Sequence, residues 1–180
     1  TDAFLGRNGA TLASLQSLGA ASLPSDKAVV FVDNHDNQRA ENLYYASTLS
    51  AVPVYELALI FMLAHPQGAP SVMSSYGLDR TTAAGRDAGP PSSAAGVTQS
   101  SFDANGNSRC TATLGSAQVG SWICEHRRVA IAQMVAFRRV TAGAPLVGFQ
   151  TVDANSNRIA FARDGKGFVA IHSASYMCPQ

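Results

Sequence analysis

The sequence predicts an α/β fold that passes into an all-β segment near its end. Three observations carry this. First, Val29–Val30–Phe31–Val32 is apolar at every position, as in a parallel strand buried on both faces, and it stops abruptly at a polar cluster. Second, residues 54–64 are almost continuously apolar and rich in Leu, Ala and Met, which favours a buried helix, and a strand-like run follows at 71–76. Strand, helix and strand make a βαβ unit. Third, residues 158–163 and 167–172 flank Asp164–Gly165 as the two arms of a β-hairpin.

The elements follow in order. Leu12, Leu15 and Leu18, three apart, predict a short amphipathic helix over 11–18 that Gly19 ends. Pro24–Ser25–Asp26 is a turn into the first strand. Residues 40–51 form a polar loop in which Tyr44 and Tyr45 are expected to pack locally. Pro53 suits the first turn of the apolar helix, and His65, Pro66 and Gly68 end it, with His65 read as a satisfied helix-end histidine. Residues 77–120 contain Gly89–Pro90–Pro91 and many Ser and Ala, and read as a long surface loop with short strands. Asp79, in that loop, is read as bonded to Arg80 or to backbone rather than as a carboxylate partner for Asp36. Residues 125–140 give the strongest helix pattern, with Ile131, Met134, Val135 and Val140 apolar and Arg138 and Arg139 on a solvated face. Thr141–Ala142–Gly143–Ala144–Pro145 closes that helix, and the change to β pattern sets a boundary near Leu146. No repeat of fixed period is evident.

The chain has 180 residues, room for one ordinary domain, and 46% hydrophobic content, enough for a sizeable core. A net charge of +1 argues against a nucleic-acid or acidic-membrane partner. No apolar run approaches the roughly 18–20 residues of a membrane span. The first residues lack the basic-then-apolar pattern of a secretion signal.

From residue types alone, the cluster Asp33–Asn34–His35–Asp36 supports a capping turn or a site. Asn-His-Asp supplies metal ligands in metallophosphoesterases, but such centres need further His and Asp clusters, and His65, His126 and His172 stand alone. In α/β folds, catalytic groups gather where the carboxyl ends of parallel strands meet their loops, which is the position of His35 and Asp36. Cys110 and Cys124 flank a small, polar segment and are either a disulfide of a secreted protein or two free thiols; Cys178 is left over.

Phe31–Val32–Asp33–Asn34–His35–Asp36 resembles the fourth signature region of the α-amylase family of glycoside hydrolases. Phe61–Met62–Leu63–Ala64–His65–Pro66, Val72–Met73–Ser74–Ser75–Tyr76 and Trp122–Ile123–Cys124–Glu125–His126–Arg127 resemble later segments of animal-type α-amylases and related bacterial enzymes, in the same order. The resemblance implies the last strands and helices of a (β/α)8 barrel over 1–146, followed by the start of a β-sandwich domain over 147–180. It implies the C-terminal part of a longer enzyme, since a complete barrel needs about 250 residues.

The activity implied is endo-hydrolysis of α-1,4 bonds in starch, glycogen or maltooligosaccharides with retention. Asp36 matches the family's transition-state stabiliser, and His35 the histidine that hydrogen-bonds the same sugar. The nucleophile Asp and acid Glu of the family lie in earlier signature regions that are not found here, so the chain alone is expected to be inactive. The family's structural calcium is held by residues outside this chain, and no metal is expected on these residues. Asn34 matches one ligand of the chloride ion in animal-type enzymes, but Ser71 stands where those enzymes carry a basic residue, so activity without chloride is expected. The short-range bridge of those enzymes implies a Cys110–Cys124 disulfide. The resemblance further implies a secreted, extracellular, monomeric hydrolase. The alternative is an amylase-like protein without catalysis that binds glucan or a partner.

Overall fold

Leucines spaced three apart repeat with the three-residue turn of a 3₁₀ helix rather than the 3.6 of an α-helix. The computed structural model, which describes residues 2–5, 9–18, 23–37, 52–77, 82–110, 118–152 and 157–173, has that form. Leu12–Ser17 is a 3₁₀ helix with Leu12 and Leu15 buried. It packs near a short helix α1, Asp2–Leu5, whose Phe4 is also buried. A second 3₁₀ turn, Ser25–Lys27, leads into the first strand as the Pro24–Ser25–Asp26 pattern predicts.

Strand β1, Val29–Val30, and strand β2, Ala69–Pro70, pair in parallel with Val29 opposite Ala69 and Val30 opposite Pro70. Helix α2, Val52–Ala64, connects them, so the βαβ unit is present. Two details differ from the sequence reading. Val29 and Phe31 are exposed while Val30 and Val32 are half-buried, because the strand packs one face only. The second strand lies at 69–70 rather than 71–76: ladder bonds run from Ala69 N–H to Ala28 O (2.8 Å) and from Ser71 N–H to Val30 O (2.8 Å), and β1 ends there. Gly68, at φ 66°, makes the close approach of the strands possible, since a Cβ there would lie 2.7 Å from Val30 Cγ1.

Helix α2 is buried around most of its circumference, through Tyr55, Ala58, Leu59, Phe61, Met62, Leu63 and Ala64. Each large apolar side chain so placed contributes about 1.5–3 kcal/mol relative to exposure. Phe61 packs edge-on against Phe4 and Phe161, both at 5.9 Å between ring centroids. It thereby joins the amino-terminal helices to a three-stranded antiparallel sheet: β3, Leu146–Thr151, β4, Arg158–Arg163, and β5, Gly167–His172. The hairpin β4–β5 is formed by the two runs the sequence predicts, and it pairs Arg158 with His172 through Arg163 with Gly167. Strand β3 is not evident from the sequence, because Gly148 at φ 62° sits at a register shift between Val147 and Gln150 and interrupts the alternation.

The expected helix over 125–140 is broken. After a one-turn helix α3, Ala83–Arg86, in the long loop, Glu125–Arg127 is a 3₁₀ turn, Arg128 is extended, and helix α4 runs Val129–Val140. Ile131 is buried and Met134 half-buried, while Val135 and Val140 face outward. Arg138 does not lie on a solvated face. Its guanidinium donates to the carbonyls of His65, Pro66 (3.2 Å) and Gly68 (2.5 Å) beyond the end of α2. Arg163, 2% exposed, donates to Ala64 O (2.9 Å), Thr141 O (3.0 Å) and Ala144 O (2.9 Å). Two arginines thus satisfy carbonyls at and beyond the ends of α2 and α4, where helix dipoles concentrate negative potential. His65 lies beside them, buried against Phe61 and Phe161, with Nδ1 accepting from Gln67 N–H (3.2 Å). Burial above all, then Arg138 and Arg163, pushes its pKa down to about 4, so it is neutral, as a satisfied helix-end histidine should be.

Replacing Arg163 with Met should destabilise the protein by about 3 kcal/mol or more, because three buried carbonyls lose a charged donor. Arg163→Lys should recover only part of that, since an ammonium cannot span the three acceptors as a planar fork does. Urea denaturation of the three proteins measures both, and a Met variant within about 0.5 kcal/mol of wild type would contradict the assignment.

Candidate functional site

After β1 the chain turns sharply, and side-chain amides close the turn. Asn34 Oδ1 accepts from the N–H groups of Asp36 (3.1 Å) and Asn37 (2.9 Å), and Asn37 Oδ1 accepts from Asn34 N–H (2.7 Å). This reciprocal clasp is Asx-turn chemistry. It leaves His35 and Asp36 side chains 74% and 80% exposed at the carboxyl end of a parallel strand, with His35 Nε2 3.4 Å from Asp36 Oδ1. The turn reading and the site reading of the cluster are therefore compatible: the asparagines make the turn, and the turn presents the His-Asp pair.

Beneath the turn lies a buried polar group that sequence reasoning missed. Asp33 is 3% exposed and accepts from the Tyr55 hydroxyl of α2 at 3.3 Å. Glu125, fully buried, accepts from Ser75 N–H through Oε2 at 2.8 Å. Among the described residues, Glu125 Oε1 and Ser75 Oγ are buried without a hydrogen-bond partner. Burial pushes the Glu125 carboxyl up to about 7, against the N–H groups of Ser75 and Glu125 itself; Asp33 adds to the rise and Arg128 opposes it. Burial also raises Tyr55, and the charges of Glu125 and Asp33 raise it further. Arg128 is ion-paired to Glu56 at the border of this group. The signal available in the sequence was polarity out of place: Tyr55 and Glu56 inside the apolar helix run, and Glu125 directly after Ile123 and Cys124.

The segment before Glu125 is organised by Cys110 and Cys124, which form a disulfide with Cα atoms 5.6 Å apart. Two tight hairpins precede it, ten residues apart. Ser92 bridges Thr98 in one and Phe102 bridges Ser108 in the other, so the long loop has local order that its composition hides. Arg127 lies over the Phe102 ring at 4.9 Å, and Trp122 Nε1 donates to Gln99 O (3.2 Å), fastening the hairpins to the body. Cys124 has φ 59°, the left-handed region, and it redirects the chain so that Glu125 enters the core. His126 Nδ1 is hydrogen-bonded to Ser74 Oγ.

Tyr44, Tyr45, Arg39, Asp79 and Cys178 lie outside the described residues. Among the described residues no group of three or more His, Cys, Asp or Glu is arranged to hold a metal ion, and no helix is long and apolar enough to cross a membrane. Asn34 and Ser71 are neutral side chains, and neither offers an anion the positive charge that would offset its lost hydration.

No protein-family model matches the chain. Over 174 residues it is 40% identical to a pancreatic alpha-amylase of Struthio camelus, a match covering 92% of this chain and 33% of the relative. The crystal structure of alpha-amylase I from Eisenia fetida superposes with a TM-score of 0.72 at 30% identity, covering 96% of this chain and 34% of that one. A mutant of that enzyme in complex with maltohexaose gives a TM-score of 0.73 at 31% identity. The chain belongs to the α-amylase family and matches the C-terminal part of it. It spans about a third of the length of the curated relatives it matches.

With Cys110 and Cys124 bonded, non-reducing peptide mapping should find neither thiol free. Reduction should cost roughly 3 kcal/mol of stability, the chain-entropy value for closing a loop of about 15 residues. Unchanged denaturation on reduction would argue that the bridge is decorative.

Proposed function

We propose that this chain is the last part of a (β/α)8 catalytic barrel, residues 1–146, with the start of a β-sandwich domain at 147–180. The parent protein is an α-amylase that hydrolyses internal α-1,4 bonds of starch, glycogen or maltooligosaccharides with retention. One observation carries the reading: Asp36 and His35 stand exposed on a braced turn at the carboxyl end of parallel strand β1, where barrel enzymes keep their chemistry. The start of the antiparallel sheet at Leu146 supports the domain boundary, and the disulfide supports a secreted, extracellular setting. The maltohexaose complex of the neighbouring enzyme supports an oligosaccharide substrate. The parent is read as a monomer.

Retaining glycosidases use a carboxylate nucleophile and a carboxylic acid across the scissile bond. Those two groups are assigned to the parent outside this chain, as is its calcium, so the 180 residues alone should not turn over. The role of Asp36 is different. The transition state carries positive charge near the sugar ring, and a fixed carboxylate stabilises that charge more than it stabilises the bound substrate. His35 supplies hydrogen bonds to hydroxyls of the same sugar, partly in the ground state.

In the full-length protein, Asp36→Asn should lower kcat by about 10²–10³ with a much smaller change in KM. His35→Ala should be milder and should raise KM as well. Steady-state kinetics on a maltooligosaccharide decides this, and an Asp36→Asn enzyme within about tenfold of wild type would reject the role. Activity should also persist without chloride, because Asn34 and Ser71 do not compensate a desolvated anion. A chloride titration at fixed ionic strength with a non-binding counter-anion checks this; saturable activation of several-fold would contradict it.

A further inference from the structure

Asp36 is held through its backbone. Its side chain is 80% exposed, so packing does not fix the carboxylate, and His35 beside it is 74% exposed. The chain on either side of the pair does the holding. Asn34 Oδ1 accepts from Asp36 N–H (3.1 Å) and Asn37 N–H (2.9 Å), and Asn37 Oδ1 accepts from Asn34 N–H (2.7 Å). Two side-chain oxygens, one at each end of the turn, thus take up the N–H groups of residues 34, 36 and 37. The bond from Asn34 N–H to Asn37 Oδ1 is the shortest of the three, and it ties the last residue of the turn back to the first.

Aspartate and asparagine serve equally in such turns, since both offer a side-chain oxygen two or three residues from the N–H they meet. Residues 33–37 contain both types, and the structure sorts them. The bracing oxygens are the amide oxygens of Asn34 and Asn37, and the presented group is the carboxylate of Asp36. Amide bracing leaves the Asp36 charge out of the turn's own hydrogen bonds and puts no like charge into the clasp beside it.

We propose that Asn37 is a positioning residue for Asp36: its side-chain oxygen closes the turn and so fixes where the Asp36 carboxylate stands against the sugar. This inference rests on the reading of Asp36 given above. A reacting group displaced by about 1 Å loses about 10²-fold in rate. A turn without its closing bond still spends part of its time in the right place, so the expected loss is smaller, about tenfold. It falls on kcat more than on KM, because the Asp36 charge is worth most in the transition state.

The test is steady-state kinetics of the full-length protein on a maltooligosaccharide. Asn37→Leu keeps the bulk of the side chain and removes the acceptor; it should lower kcat about tenfold with KM within about threefold. Asn37→Asp keeps an acceptor in the same place and should hold kcat within about threefold. In an Asp36→Asn background, Asn37→Leu should change kcat by less than about twofold, because no carboxylate is left to place. A tenfold loss that persists in that background would overturn the proposal, as would wild-type kcat in Asn37→Leu or equal losses in the Leu and Asp variants.

Amide hydrogen exchange gives a readout that needs no turnover. The Asn34 N–H should exchange about tenfold faster in Asn37→Leu than in wild type, and an unchanged rate would overturn the proposal. Ala69 N–H, bonded to Ala28 O in the strand pair, should keep its rate and so report an intact fold. If it does not, Asn37→Ala replaces the Leu variant under the same criteria. The two readings fail separately. An Asp36→Asn protein within about tenfold of wild type rejects the role of Asp36 and this inference with it. A large Asp36→Asn loss beside wild-type kcat in Asn37→Leu rejects Asn37 alone.

Discussion

Helix α2 stands between a parallel strand pair and an antiparallel sheet, and its carboxyl end is the joint between them. The carbonyls of Ala64, His65, Pro66 and Gly68, at and just beyond that end, have no further helical turn to donate to them. Arg163 from the sheet and Arg138 from α4 supply the donors. Neither arginine has a carboxylate among these hydrogen-bond partners; each is compensated by backbone oxygens and by the negative ends of two helices. The aromatic contacts of Phe61 with Phe4 and Phe161 fill the space around this joint, but apolar packing has no direction, and the arginine forks are what fix the orientation of sheet to helix.

The candidate site is built in two tiers that obey different physics. The upper tier is local: two asparagines bond to each other's backbone within four residues, so its geometry is set by a short stretch of sequence. The lower tier is non-local. Tyr55 comes from α2, Ser75 follows β2, and Glu125 follows a disulfide that fixes a left-handed residue. A turn built only from the first tier would have a shape but no fixed attachment. The second tier attaches it through one buried aspartate, at the cost of carrying ionisable groups where water cannot reach.

The upper tier and most elements were legible in the sequence, and the reasons are physical. An 11-residue run that is apolar but for Glu56 has few alternatives to a buried helix, and an alternation about Asp164–Gly165 has few alternatives to a hairpin. Strand β3 was hidden because Gly148 breaks its period. Arg138 was misread because a charged residue on a helix usually faces water, and only the loop after α2 supplies its acceptors. Arg163 carried a signal that composition ignores: it stands in phase with Ile159 and Phe161, the inward positions of its strand. Asp33 and Glu125 depend on a meeting of β1, α2 and the post-disulfide segment that no local pattern encodes.

The fork of Arg163 also has a consequence in time. It reaches back 99 residues to Ala64. A ribosome adds about 5–20 residues per second, so on synthesis the end of α2 waits roughly 5–20 s for its donor. During that interval the carbonyls at that end must be met by water, and the apolar circumference of α2 has no sheet to cover it. A nascent chain in this state presents its most hydrophobic helix with an open end. Until β4 emerges that end of the helix stays hydrated, and the arrival of one side chain is what closes it.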